Sequence, residues 1–358
     1  MVKGTTKYGP TGGCSASELL ETGLPAKRRE SIAKYINQGL SQKTWSSYKT
    51  AERMWRMCEK ENKRRLELPW GRCETLIFLD WLLTDRKVSA ATASAYLAGI
   101  KKLHEIKGVE EPKIRSGLIN QIIKGKKNEE SVKKRNDENK GRLPVTLTVM
   151  KILKEAIRAS VLVTEEKLLL WAVSTVAFHG AFRIHEILCT RETEYDPDFT
   201  LLEDDIRIKK FQRDNGPEGR VLQFAIKHPK EDKLGRVVMV DVYETGGPTC
   251  PAKAFCQWFD RRDKTRNKVL FRKNDGTPLT GRRFNSHLRS LLGPHIDYDK
   301  GKITAHSFRS GIPTLLGQLG HADEDIKSIG RWSSRAFEHY LKLPRTTRAQ
   351  IAQKLGKL

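Results

Sequence analysis

Between residues 124 and 142 the chain carries eight Lys or Arg and four Asp or Glu against one apolar side chain, Val132. Such a stretch has nothing to place in a core, so it divides the fold: one hydrophobic centre must form before it and another after it. With 358 residues the chain is long enough to build both. The expected organisation is a flexible tail (1–25), a helical domain (26–125), a basic linker (126–143) and a second domain (144–358). The linker either tracks a phosphate backbone or is simply solvated.

The apolar spacing differs between the two halves. From Ser41, a plausible N-cap, Trp45, Tyr48, Ala51, Trp55 and Cys58 recur every three to four residues, the period of an amphipathic helix. Further helices are expected over 74–83, from Ser89 to Gly108, and over 114–124. In the second half a long apolar helix through Leu168–Val176 is expected to end near Leu188. Three β-like segments follow, 206–211, 221–226 and 237–242, separated by turn residues. Helices are then expected over 251–262, 281–292, 305–319, 324–330 and 334–342. The fold class is therefore mainly α with a small antiparallel β-sheet.

Composition speaks to partners. Lys and Arg total 67 against 43 Asp and Glu, a formal charge of +24. A polyanion is the usual counterpart of such an excess, because basic side chains that neutralise phosphates release condensed counterions. Nucleic acid is the expected partner. The longest apolar run, Leu168–Val173, is far short of the roughly 20 residues of a membrane span, and the first residues lack a secretory h-region, so neither membrane nor export is expected. Six cysteines, at 14, 58, 73, 189, 250 and 256, form no CxxC pair and read as free thiols of a reducing compartment. A zinc site from Cys250, Cys256, His287 and His295 would match no familiar ligand spacing.

The chain has no P-loop, no GxGxxG after a strand, no GxSxG and no HExxH. What the second domain does offer is a spaced series of basic and hydrogen-bonding groups. Arg183 lies in an apolar context, one helical step from Glu186, and by itself would be a plain Arg–Glu brace. His306 and Arg309 follow Thr304, a candidate helix cap, and would share one face of a first turn whose backbone N–H groups favour an anion. The bland alternative is a capped helix with a core-facing histidine. Trp332, in Gly330-Arg331-Trp332-Ser333-Ser334, and Tyr340, near Phe337, would by default be packing residues. As a nucleophile, Tyr340 needs neighbouring cations, since a phenol of pKa near 10 is little ionised at neutral pH.

Taken in order, Arg183, Lys230, His306-x-x-Arg309, Trp332 and Tyr340 resemble the signature of the tyrosine recombinases. The resemblance covers roughly residues 40–345 and includes the Arg-Ile-x-Glu-Ile context of Arg183. It implies an N-terminal helical core-binding domain and a C-terminal tyrosine-recombinase catalytic domain that cut and rejoin double-stranded DNA without metal, ATP or other cofactor. By that resemblance Arg183 and Arg309 clamp the scissile phosphate, and His306 hydrogen-bonds it and assists proton transfer at the tyrosine. Trp332 donates its indole N–H, and Lys230, with Lys227 as the alternative lysine, is the general acid. Glu186 orients its neighbours, and Tyr340 attacks phosphorus to give a 3′-phosphotyrosine and a 5′-hydroxyl. A homotetramer on paired sites, monomeric or dimeric when free, is implied, with the tail 341–358 docking on an adjacent subunit.

The His-Ser-Phe-Arg and Gly-Arg-Trp-Ser-Ser forms are most similar to those of the eukaryotic Crypton, Ngaro and DIRS mobile elements. With Lys133-Lys134-Arg135, that likeness suggests the nucleus, and otherwise the cytoplasm with DNA. The interval from Trp332 to Tyr340 is one residue shorter than in well-known bacterial and phage members, which leaves cis and trans delivery of the tyrosine both open. The competing readings are a monomeric type IB topoisomerase-like enzyme and a recombinase-derived DNA-binding regulator that no longer cleaves.

Overall fold

A computed structural model describes residues 23–40, 42–110, 117–136, 143–193, 195–213, 216–227, 236–264, 268–295 and 303–332. The expectations for the tail 1–22, the Ser41 cap, Lys230, the helix 334–342, Tyr340 and the tail 341–358 lie outside the described residues. The chain separates into two compact units, with the boundary between Glu138 and Asn139.

The first unit is helical: α1 (Ala26–Gln38), α2 (Gln42–Asn62), α3 (Arg72–Thr84), α4 (Ala90–Ile106) and α5 (Gly117–Asn136). The periodic positions of α2 and α4 supply its core, where Ala51, Trp55, Cys58, Ala93, Leu97 and Ile100 are buried with Phe78, Leu79, Trp81 and Leu82 of α3. Ser89 caps α4 by accepting from the Thr92 N–H (3.1 Å). Within this core the Trp70 backbone N–H donates to His104 Nε2 (2.8 Å), which leaves Nδ1 to donate to the Ile100 carbonyl (2.8 Å).

Two features depart from expectation. Helix α1 buries only Ala33, which is why no apolar period announces it. The basic stretch begins as helix rather than as linker: α5 runs on to Asn136, supported by the Lys126–Glu129 and Glu129–Lys133 pairs and by Glu130, whose carboxylate accepts from the Ala90 N–H. A charge run with i,i+3 and i,i+4 partners makes a solvated helix without an apolar stripe.

The second unit holds α6 (Leu147–Ala159), α7 (Thr164–His179), α8 (Ile184–Ile187), β1 (Ile206–Phe211), β2 (Gly219–Ile226), β3 (Val238–Tyr243), α9 (Pro251–Phe259), α10 (Gly281–Leu292), α11 (Ala305–Leu319) and α12 (Asp323–Gly330). The strands form one antiparallel sheet in the order β1-β2-β3, with Ile206 opposite Phe224 and Phe224 opposite Val240. Its inner face buries Leu222, Phe224, Ile226, Val240 and Val242 against a core centred on α7 and α9. Alternation does the sorting: Arg207, Gln223 and Asp241 fall on the opposite face.

The long helix expected to end near Leu188 is broken. Helix α7 stops at His179 and Ala181 turns the chain through the left-handed region (φ 45°) before α8 supplies a single turn. Phe182 folds back over Gly180, where a Cβ would sit 2.2 Å from its ring, so the break needs glycine at that position. Arg183 is thereby moved from a helix interior to the extended N-cap of α8.

Candidate active site

The break in α7 sets up a buried cluster around Glu186, whose side chain is 1% exposed. Its Oε2 accepts from the Arg183 backbone N–H (2.9 Å) and its Oε1 from Arg183 Nη1 (3.1 Å). The brace between Arg183 and Glu186 therefore exists, but it is one part of a larger arrangement. Arg331 adds its Nη2 to Glu186 Oε2 (3.0 Å) and its Nη1 to the Gly180 carbonyl (2.9 Å).

Arg309, the fifth residue of α11, is 1% exposed. A guanidinium loses hydration at such a site and must be met by oriented acceptors. Nη1 donates to the Ala181 carbonyl (2.5 Å), Nη2 to the Gly330 carbonyl (2.6 Å), and the group lies 4.7 Å from the centre of the Trp332 ring. Trp332 thus packs on the second arginine of the series. It reaches there because Gly330 has no side chain: a Cβ would lie 1.4 Å from the indole. Three segments far apart in sequence (180–186, 309 and 330–332) meet at this cluster.

His306 is half-buried in the first turn of α11, three residues before Arg309. The local geometry corrects the expected cap. Thr304 makes no side-chain cap; instead Asn285 of α10 accepts from the Ala305 N–H (2.7 Å), and Ser307 Oγ accepts from the Thr304 N–H (3.0 Å). Those two donors are already taken, so the turn serves to fix His306 and Arg309 rather than to bind a ligand through them.

Lys227, just after β2, is tethered: its Nζ pairs with Asp205 (2.7 Å) and donates to the Pro197 (2.9 Å) and Thr200 (3.4 Å) carbonyls. It lines a small cleft with His185, Glu186, Phe199 and Thr200, on the Glu186 side of the cluster. The structure thus brings Arg183, Glu186, Arg309 and Trp332 together.

Arg331 and Asn285 are contributors that the sequence did not flag. Arg331 follows α12 in a left-handed conformation (φ 53°), and its acceptors lie about 150 residues earlier, so no local pattern marks it. Among the described residues no group of three or more His, Cys, Asp or Glu is placed to hold a metal, and no helix is long and apolar enough to cross a membrane.

No protein-family model and no curated protein matches the chain in sequence. Solved structures do match in fold. XerH site-specific recombinase, in a post-cleavage complex with palindromic difH substrate, aligns over 96% of this chain and 90% of its own at 13% identity, with a TM-score of 0.55. A lambda integrase dimer bound to a core site aligns over 88% and 93% at 14% identity (TM-score 0.53). The Tn1549 transposon integrase with transposon right-end DNA aligns over 86% and 93% at 13% identity (TM-score 0.51). The fold, mostly helical with one small antiparallel sheet, is that of the tyrosine recombinases and integrases.

Proposed function

We propose that this protein is a DNA strand-exchange enzyme that cuts and reseals duplex DNA through a tyrosine–phosphate intermediate. The observation that carries the proposal is the convergence of Arg183, Arg309 and Trp332 around Glu186 in a fold shared with recombinases and integrases. Guanidiniums suit a phosphodiester because their planar forks meet two oxygens at once, and a water-poor pocket strengthens each such contact.

In this mechanism Arg183 and Arg309 hold the non-bridging oxygens of the scissile phosphate and His306 hydrogen-bonds the same group. The Tyr340 oxygen attacks phosphorus as its hydroxyl proton leaves with the help of His306, the bond to the 5′-oxygen breaks, and that oxygen takes a proton from Lys230. Lys227 is the poorer choice, because Asp205 and two carbonyls already hold it. The phosphotyrosine keeps the energy of the phosphodiester, so a second 5′-hydroxyl can reverse the step on a new strand. We further propose that a homotetramer performs the exchange on paired sites, and the +24 charge supports duplex DNA as its partner. For a eukaryotic mobile element the place of action would be the nucleus.

The test is to trap the covalent complex. The protein is incubated with nicked duplexes carrying candidate element ends, denatured in SDS and examined for protein-linked DNA. The expected result is an adduct whose peptide maps to Tyr340 and which Tyr340→Phe abolishes while binding persists. Adduct formation by Tyr340→Phe, or DNA binding without any adduct from the intact chain, would overturn the proposal. The second outcome would indicate a DNA-binding regulator.

A further inference from the structure

The contacts of Glu186 raise a question that the proposed chemistry leaves open. A carboxylate facing one arginine across two oxygens holds it bidentately, and an arginine so held is aimed at its partner rather than at a substrate. Here the second oxygen is shared: Arg183 reaches Oε1 by Nη1, while Oε2 accepts from the Arg183 backbone N–H and from Arg331 Nη2. Arg331 also clamps the Gly180 carbonyl at the break in α7 and lies 5.0 Å from the centre of the Phe182 ring, so it grips the turn from which Arg183 projects. One arginine thus controls both the charge opposite Arg183 and the backbone beneath it. A lysine carries a single ammonium and cannot span Gly180 and Glu186 in the same way.

We infer that Arg331 is a positioning residue of the cleavage site, occupying one oxygen of Glu186 and fixing the Gly180–Phe182 turn so that the Arg183 guanidinium stays aligned toward the scissile phosphate. The inference rests on the recombinase reading for its consequence but not for its contacts. It predicts an effect on the rate of cleavage, transmitted through Glu186, with no share in holding DNA.

A double-mutant cycle tests it. Arg331→Ala, Arg331→Lys, Glu186→Gln and the Arg331→Ala/Glu186→Gln pair are compared for duplex affinity, adduct formation on nicked duplexes and thermal unfolding. Arg331→Ala should slow adduct formation ~10- to 100-fold, the scale of a misaligned reacting geometry, with duplex affinity unchanged within about twofold. Arg331→Lys should recover part of the rate. Once Glu186 is neutral, removing Arg331 should cost about threefold or less, because the charge that it balances is gone. Equal losses in the two backgrounds, a wild-type rate in Arg331→Ala, or affinity falling in step with rate would overturn the inference.

If Arg331→Ala fails to fold, Arg331→Lys and the double variant carry the comparison, since the lysine keeps a second cation near Glu186 and the double variant removes the carboxylate itself. An intact chain that binds DNA but forms no adduct overturns the recombinase reading alone, and unfolding then decides the contacts. Arg331→Ala should lower the Tm by roughly 5 °C in the parent chain and by less than half of that in the Glu186→Gln background. Equal shifts would count against the positioning role.

Discussion

Among its described residues the second unit contains two buried arginine clusters, and their difference is instructive. In the first, Glu203 Oε1 accepts from Arg262 Nε (2.9 Å) and Arg272 Nη1 (2.5 Å). The same arginines also donate to the Phe259, Val269 and Asp263 carbonyls. Burial alone would raise the Glu203 carboxyl, but these two guanidiniums outweigh it and hold the group below the usual carboxylate range. Apart from Glu203, every group involved falls between residues 259 and 272. The cluster ties the end of α9 to the segment after it and to the turn that leads into β1.

The second cluster uses the same chemistry over another reach. Arg183 and Arg331 meet on Glu186, and Arg309 is held by the Ala181 and Gly330 carbonyls, so contacts join residues 128, 145 and 151 positions apart. Three guanidiniums are drawn into one place from a broken helix, a helix interior and a helix end. The first cluster should therefore act on stability alone and the second on the chemistry as well, and variants can separate the two roles.

The largest difference is expected in cleavage. Arg309→Ala or Arg183→Ala should lower adduct formation by about 10²–10³-fold, the scale for removing one positioned donor from developing charge. Arg272→Ala, measured per folded molecule, should cleave at the wild-type rate. Retained cleavage in either of the first two, or comparable loss in the third, would erase the distinction. Salt provides a second check. Duplex affinity should fall with a log–log slope of about −0.9 per phosphate neutralised, so about six contacts would cost roughly three decades between 50 and 200 mM salt. Arg272→Ala should leave that slope alone, and a flat dependence in the intact chain would contradict DNA as the polyanion.

Stability is where the first cluster should show its effect. Removing Arg272, 2% exposed, takes away one of the two guanidiniums that meet Glu203 and the donor to the Val269 and Asp263 carbonyls, a change of about 2 kcal/mol on the scale of buried acceptors left without their partner. Urea unfolding of Arg272→Ala against the parent reads this directly; a change below about 0.5 kcal/mol, the range of ordinary surface substitutions, would mean that the first cluster is dispensable.

What the sequence disclosed follows from the range of the forces involved. Strand alternation and helical periodicity are local, so the expected 206–211, 281–292 and 305–319 coincide with β1, α10 and α11. The start of α4 just after Ser89 was legible for the same reason. The α7 break was not, because it depends on Phe182 packing back on Gly180, a contact that apolar periodicity alone treats as more helix. Arg183, Glu186 and Arg309 were legible as members of a spaced series, whereas Asn285 and Arg331 act on partners 20 and about 150 residues away. The periodic signal was also silent about α5 beyond Lys124, where ion pairs rather than an apolar stripe hold the helix.

The smallest expected effect concerns histidines that the two units bury without using as acids or bases. His179, at the end of α7, is pushed down to about 4 by burial, which the Thr249 contact only partly offsets; burial lowers His104 of the first unit too. A histidine whose folded pKa is depressed binds its proton more tightly when unfolded, so stability falls as pH drops below about 6.5, the unfolded value. For His179 that loss runs from about pH 6.5 down to about pH 4 and reaches about 2 kcal/mol at pH 5. Thermal melts of the intact chain at pH 7 and pH 5 should differ accordingly, and His179→Gln should narrow the difference in the transition of the second unit while leaving that of the first, where His104 sits, unchanged. If His179→Gln shows the full pH dependence of the parent, other groups carry it, and the α7 terminus is better solvated than its burial against Thr249 implies.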